Sequence, residues 1–132
     1  MKLHARRLVL PVALLALLLA ACGGGARLDD RVLQLSMVYT VEGPVRAEMI
    51  GTRGAASAGR EVECRLTTGD KPIVGKAVAD DVGAFRMELD HTLFPERIPT
   101  ADEYRTFNQT IECRPTGGSW VHPLRQPSLQ VN

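Results

Sequence analysis

Three cysteines carry the most reactive side chains of this 132-residue chain, and the first of them stands apart from the other two. Cys22 directly follows an apolar run over 8–21, and the basic residues Lys2, Arg6 and Arg7 precede that run. A basic segment, a short apolar run and small residues before a cleavage point are the pattern of a secretion signal. A membrane-spanning helix needs about 20 apolar residues, so this run is too short to remain as a span. The chemistry available to Cys22 is that of a thiolate, which can accept a lipid group as a nucleophile.

The four residues Leu19-Ala20-Ala21-Cys22 resemble the lipobox of bacterial lipoproteins. The resemblance implies that a diacylglycerol is joined to Cys22, that residues 1–21 are removed as a signal peptide and that the new amine is acylated. Residues 22–30, which begin with three glycines after Cys22, are then the lipidated cysteine and a flexible tether. Gly23 in place of Asp implies, by resemblance to the sorting rule of enteric bacteria, the outer membrane with the domain facing the periplasm. The alternative is an ordinary signal peptide cut elsewhere, with Cys22 incidental.

Cys64 and Cys113 remain once Cys22 is lipidated, and an exported protein meets an oxidising compartment. Each occupies an inward position of an alternating segment, which predicts a disulfide between facing strands. Closing a loop of roughly 50 residues stabilises a fold by about 2 to 4 kcal/mol. The alternative is a pair of buried thiols.

Other candidates for chemistry are sparse, and the sequence predicts neither an enzyme nor a cofactor. The histidines after the signal are His91 and His122, and a zinc site would need distant carboxylates to complete it, so no metal site is predicted. Asp80 and Asp81 could offer oxygen ligands to Ca²⁺, although a polar turn whose Asp side chains bond the backbone is favoured. Asp90 beside His91 permits a catalytic triad on paper, but no nucleophile elbow accompanies it.

Length suits a single exported domain, and charge excludes some partners. Without residues 1–21 the chain has 111 residues, with thirteen basic and fifteen acidic side chains. That length fits a single domain. A mixed surface close to neutrality lacks the basic footprint of a protein that binds nucleic acid or anionic lipid through its overall charge, so no nucleic-acid partner is predicted.

Alternation of apolar and polar residues predicts the elements that position these side chains. Short strands joined by tight turns, without an apolar stripe of helical period, indicate an all-β fold, a Greek-key β-sandwich of about seven strands. We expect the sandwich over 31–125 and a frayed C-terminal tail over 126–132. The predicted strands are 32–42, 45–51, 61–67, 73–79, 84–89, 104–114 and 119–124, the last carrying Trp120.

The segment 72–85, PIVGKAVADDVGAF, resembles a hairpin of transthyretin-like and carboxypeptidase-regulatory-like domains, and is similar to immunoglobulin-like bacterial modules. The resemblance implies that glycines make the turns and that Phe85 anchors the core. It also implies roles in binding, assembly or spacing rather than catalysis. The antibody-type pattern is not matched, because Trp120 follows the second cysteine of the pair instead of lying between the two.

The connection over 90–103 contains two prolines and room for a short helical turn near 100–104. Aromatic and Arg side chains on an exposed loop are typical of interfaces, so Phe94, Arg97 and Tyr104 form the candidate binding loop. In the alternative interpretation, Leu93 and Phe94 fold back to cap the core.

The sequence therefore predicts a lipid-anchored, non-enzymatic envelope lipoprotein that binds or positions another envelope protein. Two alternatives stay open: a small lipoprotein hydrolase acting on cell-wall or peptide substrates, and a carbohydrate- or ligand-binding module. A deep cleft that joins His91 or His122 to a carboxylate would favour the hydrolase, and a row of exposed aromatics the sugar binder. A shallow apolar patch would favour the partner binder.

Overall fold

Two β-sheets make up the body of the protein in a computed structural model that describes residues 26–132. The signal segment and Cys22 lie outside these residues. Within this part of the chain there are seven strands, one α-helix and three 3-10 helices, the latter at Asp30–Val32, His91–Leu93 and Phe107–Gln109. The strands are β1 Leu33–Thr40, β2 Gly43–Gly51, β3 Glu61–Leu66, β4 Ile73–Val78, β5 Phe85–Leu89, β6 Ile111–Pro115 and β7 Ser128–Val131, and the helix is α1 Ala101–Thr106.

The strand order is β5-β2-β1-β7 in the larger sheet and β4-β3-β6 in the smaller one. Strand β6 returns to pair with β3 after the chain has passed through β4 and β5, which is the Greek-key connection. Strands β4 and β5 belong to different sheets but contact each other where the sheets meet. A Cβ at Gly75 would lie 2.8 Å from the Met87 sulfur, so glycine in β4 allows this close approach. The predicted all-β sandwich is confirmed.

The core lies between the sheets, and strict alternation places its side chains there. Every second residue of β1 from Leu33 to Tyr39 is buried, while the residues between them face outward. Fully burying one such aliphatic side chain stabilises the fold by about 1.5 to 3 kcal/mol. The Tyr39 hydroxyl donates to the Pro95 carbonyl oxygen at 2.9 Å, and burial raises the pKa of this tyrosine.

The turn between β4 and β5 has the features expected of it. The Asp80 carboxylate accepts hydrogen bonds from the backbone N–H groups of Val82 and Ala84, at 3.0 and 2.9 Å. Gly83 has a positive φ, a backbone conformation that suits a residue without a side chain. Phe85 is buried in the core. The polar-turn interpretation of Asp80 is therefore confirmed, as is the anchoring role of Phe85.

Five predicted strands occur within two residues of their expected bounds, and two predictions are wrong. Residues 104–109 are helical and Thr110 is in a turn, so β6 begins only at Ile111. A capping box starts α1: the Thr100 hydroxyl accepts from the Glu103 N–H, and the Glu103 carboxylate accepts from the Thr100 N–H. These reciprocal hydrogen bonds satisfy two backbone N–H groups at the start of the helix, and this favours the helix over an extended segment.

The predicted strand over 119–124 is reduced to two isolated bridges, between Ser119 and Arg27 and between Val121 and Cys113. The last strand is β7, which lies in the segment expected to fray and pairs in parallel with β1. After β7, the Asn132 N–H donates a hydrogen bond to the Tyr39 carbonyl oxygen at 2.8 Å. Among residues 26–132, no helix is long and apolar enough to cross a membrane.

Candidate functional site

Cys64 and Cys113 form a disulfide, as predicted, with their Cα atoms 4.0 Å apart. The bridge joins β3 to its neighbour β6 within one sheet, so the expectation that it links facing strands is wrong. The backbone N–H and C=O of Cys113 are hydrogen bonded to Val121 on the far side, both at 2.8 Å. Cys113 therefore faces Cys64 without backbone hydrogen bonds between them, the position at which side chains of antiparallel strands come closest.

Because both cysteines point into the core, their neighbours along β3 and β6 point outward. Two directly opposed pairs of these neighbours are ion pairs. The Nε of Arg65 donates to Oε1 of Glu112 at 2.6 Å, and the Nε of Arg114 donates to Oε1 of Glu63 at 2.7 Å. Glu63 is buried, so its pairing with Arg114 also offsets the cost of removing a carboxylate from water.

Trp120 lies against these two pairs. Since Val121 is buried opposite Cys113, the residues on either side of it face outward with the ion pairs. The guanidinium carbons of Arg65 and Arg114 lie 3.8 and 4.3 Å from the centroid of the Trp120 ring, in cation–π contact. We call the five side chains Glu63, Arg65, Glu112, Arg114 and Trp120 the Trp120 cluster.

The Trp120 cluster is not predicted by the sequence alone. The outward positions of its four charged residues could be read from the alternation around the cysteines. Trp120, however, reaches them through one bridge that forms only after the chain has turned back along β6.

His122, beside the cluster, is held by the backbone. Its Nδ1 lies 3.0 Å from the Asn108 carbonyl oxygen and 2.9 Å from that of Ile111. Carbonyl oxygens only accept hydrogen bonds, so Nδ1 carries the proton, and Nε2 faces Oε2 of Glu112 at 3.9 Å.

Asp90 precedes His91, with which the sequence permitted a catalytic triad. Its carboxylate accepts hydrogen bonds from the N–H and the hydroxyl of Thr92, at 3.0 and 2.6 Å. These bonds hold the pKa of Asp90 below its usual range. Its hydrogen bonds thus cap the 3-10 helix that contains His91. Among the described residues, no group of three or more His, Cys, Asp or Glu side chains is placed to hold a metal ion.

The candidate binding loop is divided between core and surface. Phe94 is 9% exposed and meets Phe107 edge to face, with ring centroids 5.7 Å apart, so it caps the core as the alternative interpretation held. Leu93, which that interpretation also folded onto the core, is exposed instead. Arg97 is exposed and forms two 2.8 Å hydrogen bonds to Glu103, which together with Thr100 lower the pKa of Glu103 to about 2. Tyr104 is half-buried, and its hydroxyl accepts from Gln126 at 3.2 Å. The binding role of these residues stays a prediction.

One end of the sandwich concentrates exposed apolar side chains. The β1–β2 hairpin, the loop over 91–98 and the C-terminus meet there, as shown by the Tyr39 hydroxyl bonding Pro95 and the Asn132 N–H bonding Tyr39. We call this the distal end. Its exposed apolar residues are Val41, Val45, Leu93, Ile98 and Val131.

The chain enters the domain at the opposite, proximal end. Ser119 donates to the Ala26 carbonyl oxygen at 3.2 Å, Leu28 is only 2% exposed, and the Asp29 N–H bonds the Ala55 carbonyl oxygen at 2.9 Å. Residues 27–30, expected to belong to the flexible tether, are therefore packed onto the domain.

The entry segment also lines an open cavity of about 460 Å³ with the loop over 54–57. A second cavity, of about 430 Å³, lies where the ends of β2 and β5 meet. Neither includes His91 or His122 in its lining, so neither is the cleft that would favour the hydrolase.

Comparison of the chain with protein-family models found no match, and searches of curated proteins and of solved structures each found no significant match.

Proposed function

We propose that this protein is a lipid-anchored, non-enzymatic lipoprotein of the bacterial envelope, held at the outer membrane facing the periplasm, whose distal end binds another envelope protein. The lipobox at Cys22 supports the anchor, and the oxidised pair of Cys64 and Cys113 is consistent with export. The observation that carries the proposal is that the distal end, which groups five exposed apolar side chains, lies opposite the point where the chain enters the domain.

The geometry of the anchor sets the orientation. Cys22 and Ala26 are only four residues apart, so even a fully extended chain keeps the lipidated cysteine close to the domain. Strand β1 then runs for eight residues from the proximal end toward the distal end, which separates the two ends by the length of the sandwich. A lipid on Cys22 therefore keeps the proximal end at the membrane and presents the distal end to the periplasm.

The distal end suits a protein partner because its apolar side chains lie on loops and strand ends. Val41 is 90% exposed at the hairpin tip, and Leu93 is 44% exposed on the neighbouring loop. Apolar side chains grouped on a surface mark interaction sites more often than scattered ones do. Arg97 stands on the same loop and could add a polar contact at the rim, where charged residues set specificity.

The anchor is tested by Cys22→Ala. The unchanged protein should incorporate a tagged fatty acid during growth, and the variant should not, because it lacks the only thiol in the lipobox. Label that persists in the variant would contradict the anchor.

The partner surface is tested by placing a photo-cross-linking amino acid at Val41 and, as a matched control, at Val78. Both are exposed valines, but Val78 pairs with Glu61 near the proximal end. Illumination of intact cells should give a discrete adduct from position 41 and none from position 78. Equal adducts from the two positions, or none from position 41, would refute a distal binding surface.

A further inference from the structure

The Trp120 cluster lies beside the point where the chain enters the domain. Trp120 follows Ser119, whose N–H bonds the Ala26 carbonyl oxygen, and Arg27 forms a bridge with Ser119. The lipid proposed at Cys22 is separated from Ala26 by only a few residues of chain. The outward face of the smaller sheet is thus within reach of the headgroup layer in which that lipid is embedded.

The chemistry of the cluster fits a phosphate group. A guanidinium has five N–H donors, and each arginine of the cluster gives only its Nε–H to a carboxylate. The terminal nitrogens of Arg65 and Arg114 have no hydrogen-bond partner among the described residues, and the guanidinium carbons of both lie within 4.3 Å of the centroid of the Trp120 ring. Phosphate oxygens accept from guanidinium groups in a bidentate manner. Each of the two guanidinium groups near the Trp120 ring therefore keeps free N–H donors for a phosphate oxygen.

The tryptophan adds a second feature of membrane contact. Trp side chains concentrate at membrane–water interfaces because an apolar ring and a polar N–H suit that boundary. Trp120 is half-buried, so part of its ring is open to solvent next to the guanidinium groups.

We propose that the Trp120 cluster docks on the headgroup layer of the membrane that holds the lipid anchor, with Arg65 and Arg114 donating to lipid phosphate and Trp120 lying at the interface. The proposal rests on the anchor proposed above. It tilts the domain so that the outward face of the smaller sheet meets the bilayer beside the point of chain entry, while the distal end stays open to the periplasm. Glu63 and Glu112 hold the guanidinium groups in place through their Nε atoms.

The single tryptophan of the chain makes the docking measurable. The full processed protein is purified from the envelope in detergent and reconstituted into phosphatidylglycerol–phosphatidylethanolamine vesicles, with or without brominated acyl chains. Bromine quenches indole emission at short range, so docked Trp120 should be quenched in the brominated vesicles. Replacing Arg65 or Arg114 by Gln should lower the ratio of docked to undocked domain about fivefold each, from about 1 kcal/mol per basic residue near an anionic surface.

The matched control is Arg86→Gln. Arg86 pairs with buried Glu48 at 2.7 Å on the outward face of the larger sheet, in the same kind of contact as Arg114 with Glu63. The Arg86→Gln variant should show the same quenching as the unchanged protein. Thermal unfolding of each variant shows whether it folds. If a Gln variant does not fold, the Lys variant at the same position replaces it, because Lys keeps the charge but loses the bidentate donor pair of Arg.

Three results would overturn the docking. They are no quenching of the unchanged protein, an equal loss of quenching in the Arg86 control, and unchanged quenching when Arg65 or Arg114 is replaced. Adding inorganic phosphate to the detergent-solubilised protein distinguishes a site for a soluble anion from a contact with lipid phosphate. A change in emission there, without quenching in vesicles, would mean a soluble-anion site instead of a membrane contact. If Trp120 were shielded only when envelope proteins were added, the face would belong to a protein partner. The mass of the peptide containing Cys22, from the same sample, reports the anchor independently of all these outcomes.

Discussion

Replacing Phe94 by Ala distinguishes a core cap from an exposed binding residue. Phe94 is 9% exposed and meets the ring of Phe107 at 5.7 Å and an interplanar angle of 62°. Truncating a buried Phe to Ala costs about 3 to 5 kcal/mol. Phe94 lies at the rim of the core, where neighbours can relax, so we expect a loss of about 3 kcal/mol, the lower end of that range. The edge-to-face contact accounts for about 0.5 to 1.5 kcal/mol of that loss.

The assay is thermal unfolding followed by circular dichroism. For a domain of about 100 residues, 1 kcal/mol corresponds to about 4 °C in Tm, so Phe94→Ala should lower Tm by about 12 °C. Leu93→Ala is the matched control, because Leu93 is adjacent in sequence but 44% exposed, and surface substitutions usually change stability by about 0.5 kcal/mol or less. A double substitution with Phe107→Ala should cost less than the sum of the single ones. Equal Tm values for the Phe94 and Leu93 variants would refute the capping role.

Three further predictions concern the disulfide, the loop ion pair and a tight turn. Replacing Cys64 and Cys113 together by Ala should lower the free energy of unfolding by about 2 to 4 kcal/mol in urea titrations, and unchanged stability would contradict the structural role of the bridge. The lowered pKa of Glu103, about 2 against 4.5, means that its contribution to stability is present above pH 4.5 and lost as the pH falls toward 2. Glu103→Gln should therefore reduce the fall of Tm between these pH values, and a parallel Tm profile would refute this. Gly83→Ala should lower Tm more than Gly59→Ala, because both have positive φ but only at position 83 would a Cβ overlap a backbone carbonyl oxygen. Equal losses would show that the turn can relax.

Most of the sheet framework could be predicted because alternation is a local property. Side chains of a strand point to opposite faces in turn, so the inward positions of Cys64 and Phe85 follow from their neighbours in sequence. The same rule places Glu63 and Arg65 outward. The polar turn at Asp80 is also local, since its side chain bonds backbone groups two and four residues away.

The error over 104–110 was avoidable in part. Alternation before Ile111 imitates a strand, but Thr100 followed three residues later by Glu103 is the sequence pattern of a capping box. That pattern predicts a helix start at the correct position. The interpretation of Phe94 could not be settled in the same way, because both an exposed and a capping role suit an aromatic residue directly before a proline.

The sequence by itself determined the period of each strand, the inward cysteines, the polar turn and the lipobox that motivates the proposed anchor. Only the tertiary structure decided that β7 lies in parallel against β1, that the disulfide joins neighbours in one sheet and that Trp120 rests against Arg65 and Arg114. The physical reason is that strand period comes from backbone geometry within a few residues. Pairing between distant segments depends instead on which sheet edges stay open and which faces can be buried together, and these depend on the whole chain.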